Sequence, residues 1–115
     1  MKDSLLKTVV GHSWEGYIVE QLITRMPRGW QVYFYRSVTG AEIDLVFLDA
    51  RQRTIAVEVK YSSSPAVSRG FWNALEDLKC EQAYVIYPGN DTYPLRPKVQ
   101  VLPVKMMGEV FGIRG

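Results

Sequence analysis

The chain has 115 residues, which is the length of one ordinary domain and too short for two separate hydrophobic cores. Hydrophobic residues make up 47% of it and charged residues 23%, and these proportions exclude wholesale disorder and a collagen-like repeat. The net charge of +2 permits nucleic-acid binding but does not argue for it, because dedicated nucleic-acid binders usually carry a stronger basic bias.

The sequence also restricts the location of the protein and its metal chemistry. No run of about 18 apolar residues is present, and residues 1–10 lack the apolar core and cleavage site of a signal peptide. We therefore expect a cytoplasmic protein that does not enter a membrane. The single cysteine, Cys80, and the single histidine, His12, cannot complete a four-ligand zinc site. Any bound metal would then be an ion that prefers oxygen ligands, such as Mg²⁺ or Mn²⁺.

Hydrophobic periodicity predicts elements in the order α-β-β-β-α-β-β. The first predicted helix has apolar side chains at helical spacing around Glu15, and Pro27 ends it. The predicted helices are residues 11–26 and 68–79, and the predicted strands are 30–36, 41–48, 54–61, 82–87 and 98–104. We expect one domain, residues 1–115 with a core at about 11–104, to form an α/β fold with a mixed central sheet flanked by helices.

Charged residues gather on the second and third predicted strands, which a short polar link joins as a hairpin. If the hairpin is centred on Arg51, Asp44 lies opposite Glu58 and Glu42 lies opposite Lys60. Because strand residues alternate between faces, these four charges share one end of a face that is apolar at its other end. The pattern predicts a face that is covered at one end and chemically active at the other.

Glu15 lies near the centre of the apolar stripe of the first predicted helix. A lone carboxylate on a buried stripe costs several kcal/mol unless something compensates its charge. We expect this helix to cover the charged hairpin face, so that a cation shared by Glu15, Asp44 and Glu58 provides the compensation. The same cation would relieve the repulsion between carboxylates on adjacent strands.

Such a group of side chains suits the hydrolysis of phosphodiester bonds. Two or three carboxylates can hold Mg²⁺, which polarises the phosphate and activates water. A lysine beside the metal can orient the attacking water and offset charge on the reacting phosphorus. Glu58 and Lys60 are two residues apart on one predicted strand, so their side chains point to the same side. The spacing Glu-x-Lys therefore places a metal-binding carboxylate beside a lysine.

In this arrangement the sequence resembles the PD-(D/E)XK nuclease superfamily, with Ile43 at the position of the proline that names it. A closer resemblance is to the C-terminal domain of many prokaryotic AAA-type ATPases, over about residues 11–104. The residues that carry it are Gly11-x-x-x-Glu15, Tyr35-Arg36, Gly40-Ala41-Glu42-Ile43-Asp44 and Glu58-Val59-Lys60.

The resemblance implies a restriction-endonuclease-like core, α-β-β-β-α-β with an extra C-terminal strand. It implies Glu15, Asp44 and Glu58 as metal ligands and Lys60 as the catalytic lysine. The sequence after Gly16 lacks the Lys-Ser/Thr of a phosphate loop, so an ATPase module would be a partner, and the chain a detached domain or a fragment.

Two charged residues near these positions keep two interpretations each. Glu42 either supports the metal ligands or pairs with Lys60, and we expect the pairing. Arg36 either contacts a phosphate or is a structural arginine. For the aromatic residues of the first strand we expect sheet-face and core packing rather than base stacking: Trp30, Tyr33, Phe34 and Tyr35.

Three hypotheses about function follow. The first is a Mg²⁺-dependent (or Mn²⁺-dependent) nuclease, with DNA as the expected substrate and RNA left open. The second is a non-catalytic module of the same fold that binds nucleic acid or docks to an AAA-type ATPase. The third is a structural or oligomerisation domain, and a homodimer is compatible with all three.

Overall fold

The computed structural model describes residues 13–112, and both Gly11 and His12 lie outside this range. The described part contains two α-helices, six strands and a C-terminal 3₁₀ helix. In chain order these are α1 (Ser13–Thr24), β1 (Gln31–Arg36), β2 (Glu42–Leu48), β3 (Thr54–Val59), α2 (Arg69–Leu78), β4 (Gln82–Tyr87), β5 (Tyr93–Arg96), β6 (Val99–Pro103) and the 3₁₀ helix (Val104–Phe111). The mixed α/β class agrees with the sequence-based prediction.

All six described strands belong to one mixed sheet in the order β1-β2-β3-β4-β6-β5. β1, β2 and β3 form an antiparallel meander, and β5 pairs antiparallel with β6. β3, β4 and β6 are parallel neighbours. Because parallel strands cannot be joined by a tight turn, α2 makes the crossover from β3 to β4.

Each face of the sheet carries its own hydrophobic core. α2 covers the face formed in part by Val46 and Ala56, together with Phe71 and Ala74 of the helix itself. α1 and the 3₁₀ helix cover the opposite face, whose buried members include Ile18, Leu22, Leu45, Phe47, Val57, Val59, Met107 and Val110. The prediction that the first helix covers the face of Val46 and Ala56 is therefore wrong, since α2 occupies that face.

A β-bulge changes which residues of β2 share a face. Tyr33 pairs with Val46 and Tyr35 pairs with Ile43, so two residues of β2, Asp44 and Leu45, stand opposite one residue of β1. The extra residue breaks the alternation along β2, and Ile43 and Val46 end up in the same core. The predicted single face for Glu42, Asp44, Val46 and Leu48 is therefore not present.

The structure contains a strand that the sequence pattern did not predict. β5 is four residues long and carries Pro94, which weakens any strand signal. It lies at the edge of the sheet, where the missing N–H of a proline is tolerated. Within the described residues no helix has the length and apolar character needed to cross a membrane.

Close packing at the start of α2 gives a prediction on stability. A Cβ added at Gly70 would lie 2.5 Å from the backbone oxygen of Gly40, whereas a Cβ at Gly16 in α1 meets nothing within 4 Å. We expect Gly70→Ala to lower the free energy of unfolding by about 1–3 kcal/mol. Gly16→Ala is the control and should raise it by up to about 1 kcal/mol, because alanine favours the helix. Urea denaturation measures both, and equal effects would contradict the packing argument.

Candidate active site

The β2–β3 hairpin has the register predicted from the sequence. Leu48 pairs with Thr54 and Leu45 with Val57, as expected for a hairpin centred on Arg51. The backbone pairing ends at Leu45 and Val57, and beyond it Asp44 and Glu58, the predicted pair of acidic residues, are linked through a side chain.

Side chains replace the backbone ladder at this end of the hairpin. The Asp44 N–H donates to Oε1 of Glu58 at 3.0 Å, and the Val59 N–H donates to Oδ2 of Asp44 at 2.9 Å. On its other side β3 stays paired with β4 as far as Val59 and Ile86. The two strands of the hairpin therefore hold two carboxyl groups between them.

Glu58 is the more deeply buried of the two acids, with 6% of its surface exposed. Burial and the nearby Asp44 raise its pKa from 4.5 to about 7, against the opposing effects of the Asp44 N–H and Lys60. Nζ of Lys60 lies 3.6 Å from Oε2 of Glu58. A single half-buried lysine thus compensates only part of the charge, and Glu58 is poised to gain or lose a proton near neutral pH.

Asp44 responds to the same surroundings. Asp44 is an exposed residue, but neighbouring atoms remove part of the hydration of its carboxyl group, and this desolvation raises its pKa. The Val59 N–H and Lys60 oppose the shift, while the charges of Glu15 and Glu42 add to it. The pKa of Asp44 is raised overall, chiefly by desolvation. Asp44 and Glu58 share Lys60 as their cationic neighbour.

Glu15 reaches this site from α1. Its Oε2 accepts a hydrogen bond of 3.0 Å from the N–H of Tyr61, just beyond the end of β3. The helix carrying it packs on the face opposite α2 and still delivers the carboxylate to the strand ends. The structure therefore brings Asp44, Glu58 and Lys60 together, and Glu15 lies close enough for its charge to raise the pKa of Asp44.

The prediction that Glu42 pairs with Lys60 is wrong. Glu42 pairs with Arg36 across β1 and β2, with 3.1 Å between Oε2 and Nη2, and both side chains are exposed. Lys60 pairs instead with Glu58 on its own strand. The bulge beside Asp44 changes which face of the sheet each side chain at this end of β2 occupies. A prediction from regular alternation along the strand cannot include this change.

The chemistry of these side chains suits a divalent cation. Within residues 13–112 no three acidic, histidine or cysteine side chains already converge on one point as metal ligands. Each of the three carboxylates has an oxygen bonded to a backbone amide. Yet desolvation raises the pKa of both Asp44 and Glu58, and the charge of Asp44 raises that of Glu58 further. Carboxylate oxygens are also the ligands that Mg²⁺ prefers. The residues fit a cation by their charge and donor type.

A buried acid at the other end of the hairpin shows what a purely structural carboxylate looks like. Asp49 accepts hydrogen bonds from the N–H groups of Arg51 and Arg53 and a 2.7 Å bond from Nε of Arg53. Although burial opposes ionisation, these donors lower the pKa of Asp49. Glu58 is also buried, but its pKa moves in the opposite direction because desolvation and the charge of Asp44 outweigh the Asp44 N–H and Lys60.

The four aromatic residues of the first predicted strand divide into two pairs. Trp30 and Tyr35 pack against the hydrophobic cores as expected, whereas Tyr33 and Phe34 do not. Phe34 is 74% exposed and Tyr33 is also exposed, so neither packs in the core. Phe34, Arg36 and Asp44 line one cavity of about 250 Å³. The sequence-based prediction failed here because a bulge lies opposite Phe34, and the alternation of residues along a strand does not reveal a bulge.

The chain was compared with known proteins. A family model described as "Domain of unknown function (DUF4143)" matches residues 10–107. The uncharacterised proteins Mb2031c of Mycobacterium bovis and Rv2008c of Mycobacterium tuberculosis are each 34% identical over 94 residues, covering 82% of this chain and 21% of theirs. The chain thus spans about a fifth of the length of these curated relatives. No solved structure matches.

Proposed function

This chain belongs to the DUF4143 family, whose function is unknown, and we propose that it is a Mg²⁺-dependent hydrolase of phosphodiester bonds in nucleic acid. The observation that carries the proposal is the pair Asp44 and Glu58, held between two strands beside Lys60 with too little positive charge. A structural acid pair would gain stability from more donors, as Asp49 does. An incompletely compensated pair is typical of a functional site.

Each residue has a proposed role. Glu15, Asp44 and Glu58 would hold the cation, which supplies Lewis-acid activation of the phosphate and of the attacking water. Lys60, ion-paired to Glu58, would orient that water and offset the charge that develops on the phosphate. Arg36 is exposed at the mouth of the same cavity as Asp44 and can contact a neighbouring phosphate.

The architecture supports the same proposal. A helix, an antiparallel meander, a crossover helix and a parallel strand follow each other in the order of the restriction-endonuclease-like core. β6, which continues the parallel part of the sheet, would be the extra C-terminal strand, with β5 as a further edge strand. Membership of the PD-(D/E)XK superfamily and a cytoplasmic location are part of this proposal.

One observation favours a second candidate function. The carboxylates are bonded to backbone amides and do not yet surround a common point among residues 13–112. A module that has kept the scaffold and lost its chemistry would look the same. Its role would be binding nucleic acid or docking to an AAA-type ATPase module, which the much longer relatives leave room for.

Metal binding separates the two candidates. Mn²⁺ added at about pH 8, above the pKa of Glu58, should broaden the amide signals of Asp44, Val59 and Tyr61 first in ¹⁵N-labelled protein. These three amides donate to the three proposed ligands. Asp44→Asn should abolish the effect, and Glu42→Gln should leave it unchanged. Broadening scattered over the surface, or equal in both variants, would reject the cation site and with it the hydrolase.

A further inference from the structure

Exposed aromatic rings lie on two sides of the carboxylate site. Among residues 13–112 the exposed large hydrophobic side chains are Tyr17, Tyr33, Phe34, Val38 and Tyr61. Four of these five are aromatic, and a flat ring offers a different contact surface from a branched alkyl group. Their distribution around the site therefore carries information about the ligand.

One side is formed by Phe34 on β1. It is 74% exposed and lines the same cavity of about 250 Å³ as Asp44 and Arg36. Val19 of α1 lines the same cavity, so this cavity lies between α1 and the β1–β2 end of the sheet. A group seated against Phe34 would thus lie next to Asp44.

The other side is formed where α1 meets the end of β3. The N–H of Tyr61 binds Glu15, and the Tyr61 ring, 60% exposed, lies against Trp14 with 5.2 Å between ring centroids. Tyr17 follows Trp14 by three residues, which places it on the same side of α1, and it is 59% exposed. The rings of Trp14 and Tyr61 therefore lie beside Glu15, in the same way that the ring of Phe34 lies beside Asp44.

We propose that this domain binds single-stranded nucleic acid, with a backbone phosphate at the carboxylate site and unpaired bases against Phe34 and Tyr61. The inference rests on the proposed function for the position of the phosphate. Bases of a duplex are already stacked on each other and cannot also stack on a protein ring, whereas the bases of a single strand can. Ring stacking tolerates any base, so the inference concerns the strandedness of the ligand rather than its sequence.

The test measures binding separately from cleavage. A short fluorescein-labelled oligothymidine and its duplex with oligoadenine are titrated, in the presence of Mg²⁺ at about pH 8, with the Lys60→Ala chain, which should keep the cation site and cleave only slowly, and anisotropy is recorded. We expect the single strand to bind at least about tenfold more tightly than the duplex, because only it can stack on the rings. Phe34→Ala and Tyr61→Ala should each weaken it by about fivefold or more, the loss typical of one stacked base.

Two further variants show whether ring stacking is the cause. Phe34→Leu keeps an apolar side chain without a ring and should weaken binding as Phe34→Ala does. Val38→Ala alters an even more exposed apolar residue outside both aromatic groups and should leave the affinity unchanged. Equal affinity for single strand and duplex, or full affinity in Phe34→Leu, would overturn the inference.

The inference and the proposed function can fail separately. Metal-dependent cleavage of duplex by the wild-type chain, unaffected by Phe34→Ala, would keep the hydrolase and overturn single-strand binding. Ring-dependent binding of oligothymidine by a chain that binds no Mn²⁺ at Asp44 would keep single-strand binding and reject the hydrolase. Absence of any oligothymidine binding would overturn the inference and would indicate that the exposed rings contact another protein instead.

Discussion

Replacing Glu58 by glutamine is expected to raise the free energy of unfolding at about pH 8 by about 1–3 kcal/mol. Burial and Asp44 raise the pKa of Glu58 to about 7, so the folded protein at this pH carries a charge that the unfolded chain carries at lower cost. Glutamine has no charge and can still accept the hydrogen bond from the Asp44 N–H. Urea denaturation of both proteins gives the difference.

The pH dependence has a definite sign. The folded protein holds the Glu58 proton more tightly than the unfolded chain, whose glutamate has its ordinary value of 4.5. The free energy of unfolding of the wild type should therefore increase as the pH falls from above about 7 towards about 4.5, and Asp44, whose pKa is also raised, adds to the increase. The advantage of Glu58→Gln should disappear over the same range.

Two controls accompany this experiment. Glu42→Gln removes an exposed carboxylate paired to Arg36 and should change the free energy of unfolding by less than about 1 kcal/mol. Mg²⁺ at about pH 8 should stabilise the wild type and not Glu58→Gln, since a bound cation relieves the charge that the variant lacks. A Glu58→Gln chain less stable than the wild type at that pH would contradict the account of an undercompensated pair.

The second large effect is expected for Lys60. If the chain hydrolyses phosphodiesters as proposed, Lys60→Ala should slow metal-dependent cleavage about 10²–10³-fold, the usual loss when one charge-stabilising donor is removed from a site. The variant should still bind Mn²⁺, because the three carboxylates remain. Cleavage of a labelled oligonucleotide and the broadening of the Asp44 and Val59 amide signals measure the two effects separately.

Lys98→Ala is the matched control, since Lys98 is an exposed lysine outside the site. It should cleave at the wild-type rate and bind Mn²⁺ equally well. Circular dichroism must show that Lys60→Ala is folded, because the change also leaves Glu58 without its ion pair. A folded Lys60→Ala chain that cleaves within about tenfold of the wild type would exclude the proposed role of the lysine.

Much of the fold is visible in the sequence because its strong signals are local. The run of β-branched and apolar residues in Gln82–Tyr87 needs no other part of the chain to be recognised as a buried strand. Ser68 caps α2 by accepting from the Phe71 N–H, and Pro27 follows α1, so both predicted helices fall near their observed bounds. β5 escaped prediction because Pro94 weakens a strand of only four residues.

The part of the site that depends on the register of the hairpin could be predicted from the sequence. The part that depends on packing between more distant segments could not. A centre at Arg51 suffices to place Asp44 opposite Glu58. The Arg36–Glu42 pair depends on a bulge that forms only when β1 joins the sheet, and the face covered by α1 depends on how the helices pack. A pattern of alternating residues contains no information about such an inserted residue.

The replacement of two backbone hydrogen bonds by carboxylates has one more consequence. The amide protons of Asp44 and Val59 bond to groups that can change charge, whereas those of an ordinary ladder bond to carbonyl oxygens that cannot. Their chemical shifts are therefore an intrinsic titration probe, needing neither label nor ligand. A change in the ionisation of the site therefore changes the strength of two backbone hydrogen bonds, so the structure of the hairpin at this end depends on pH.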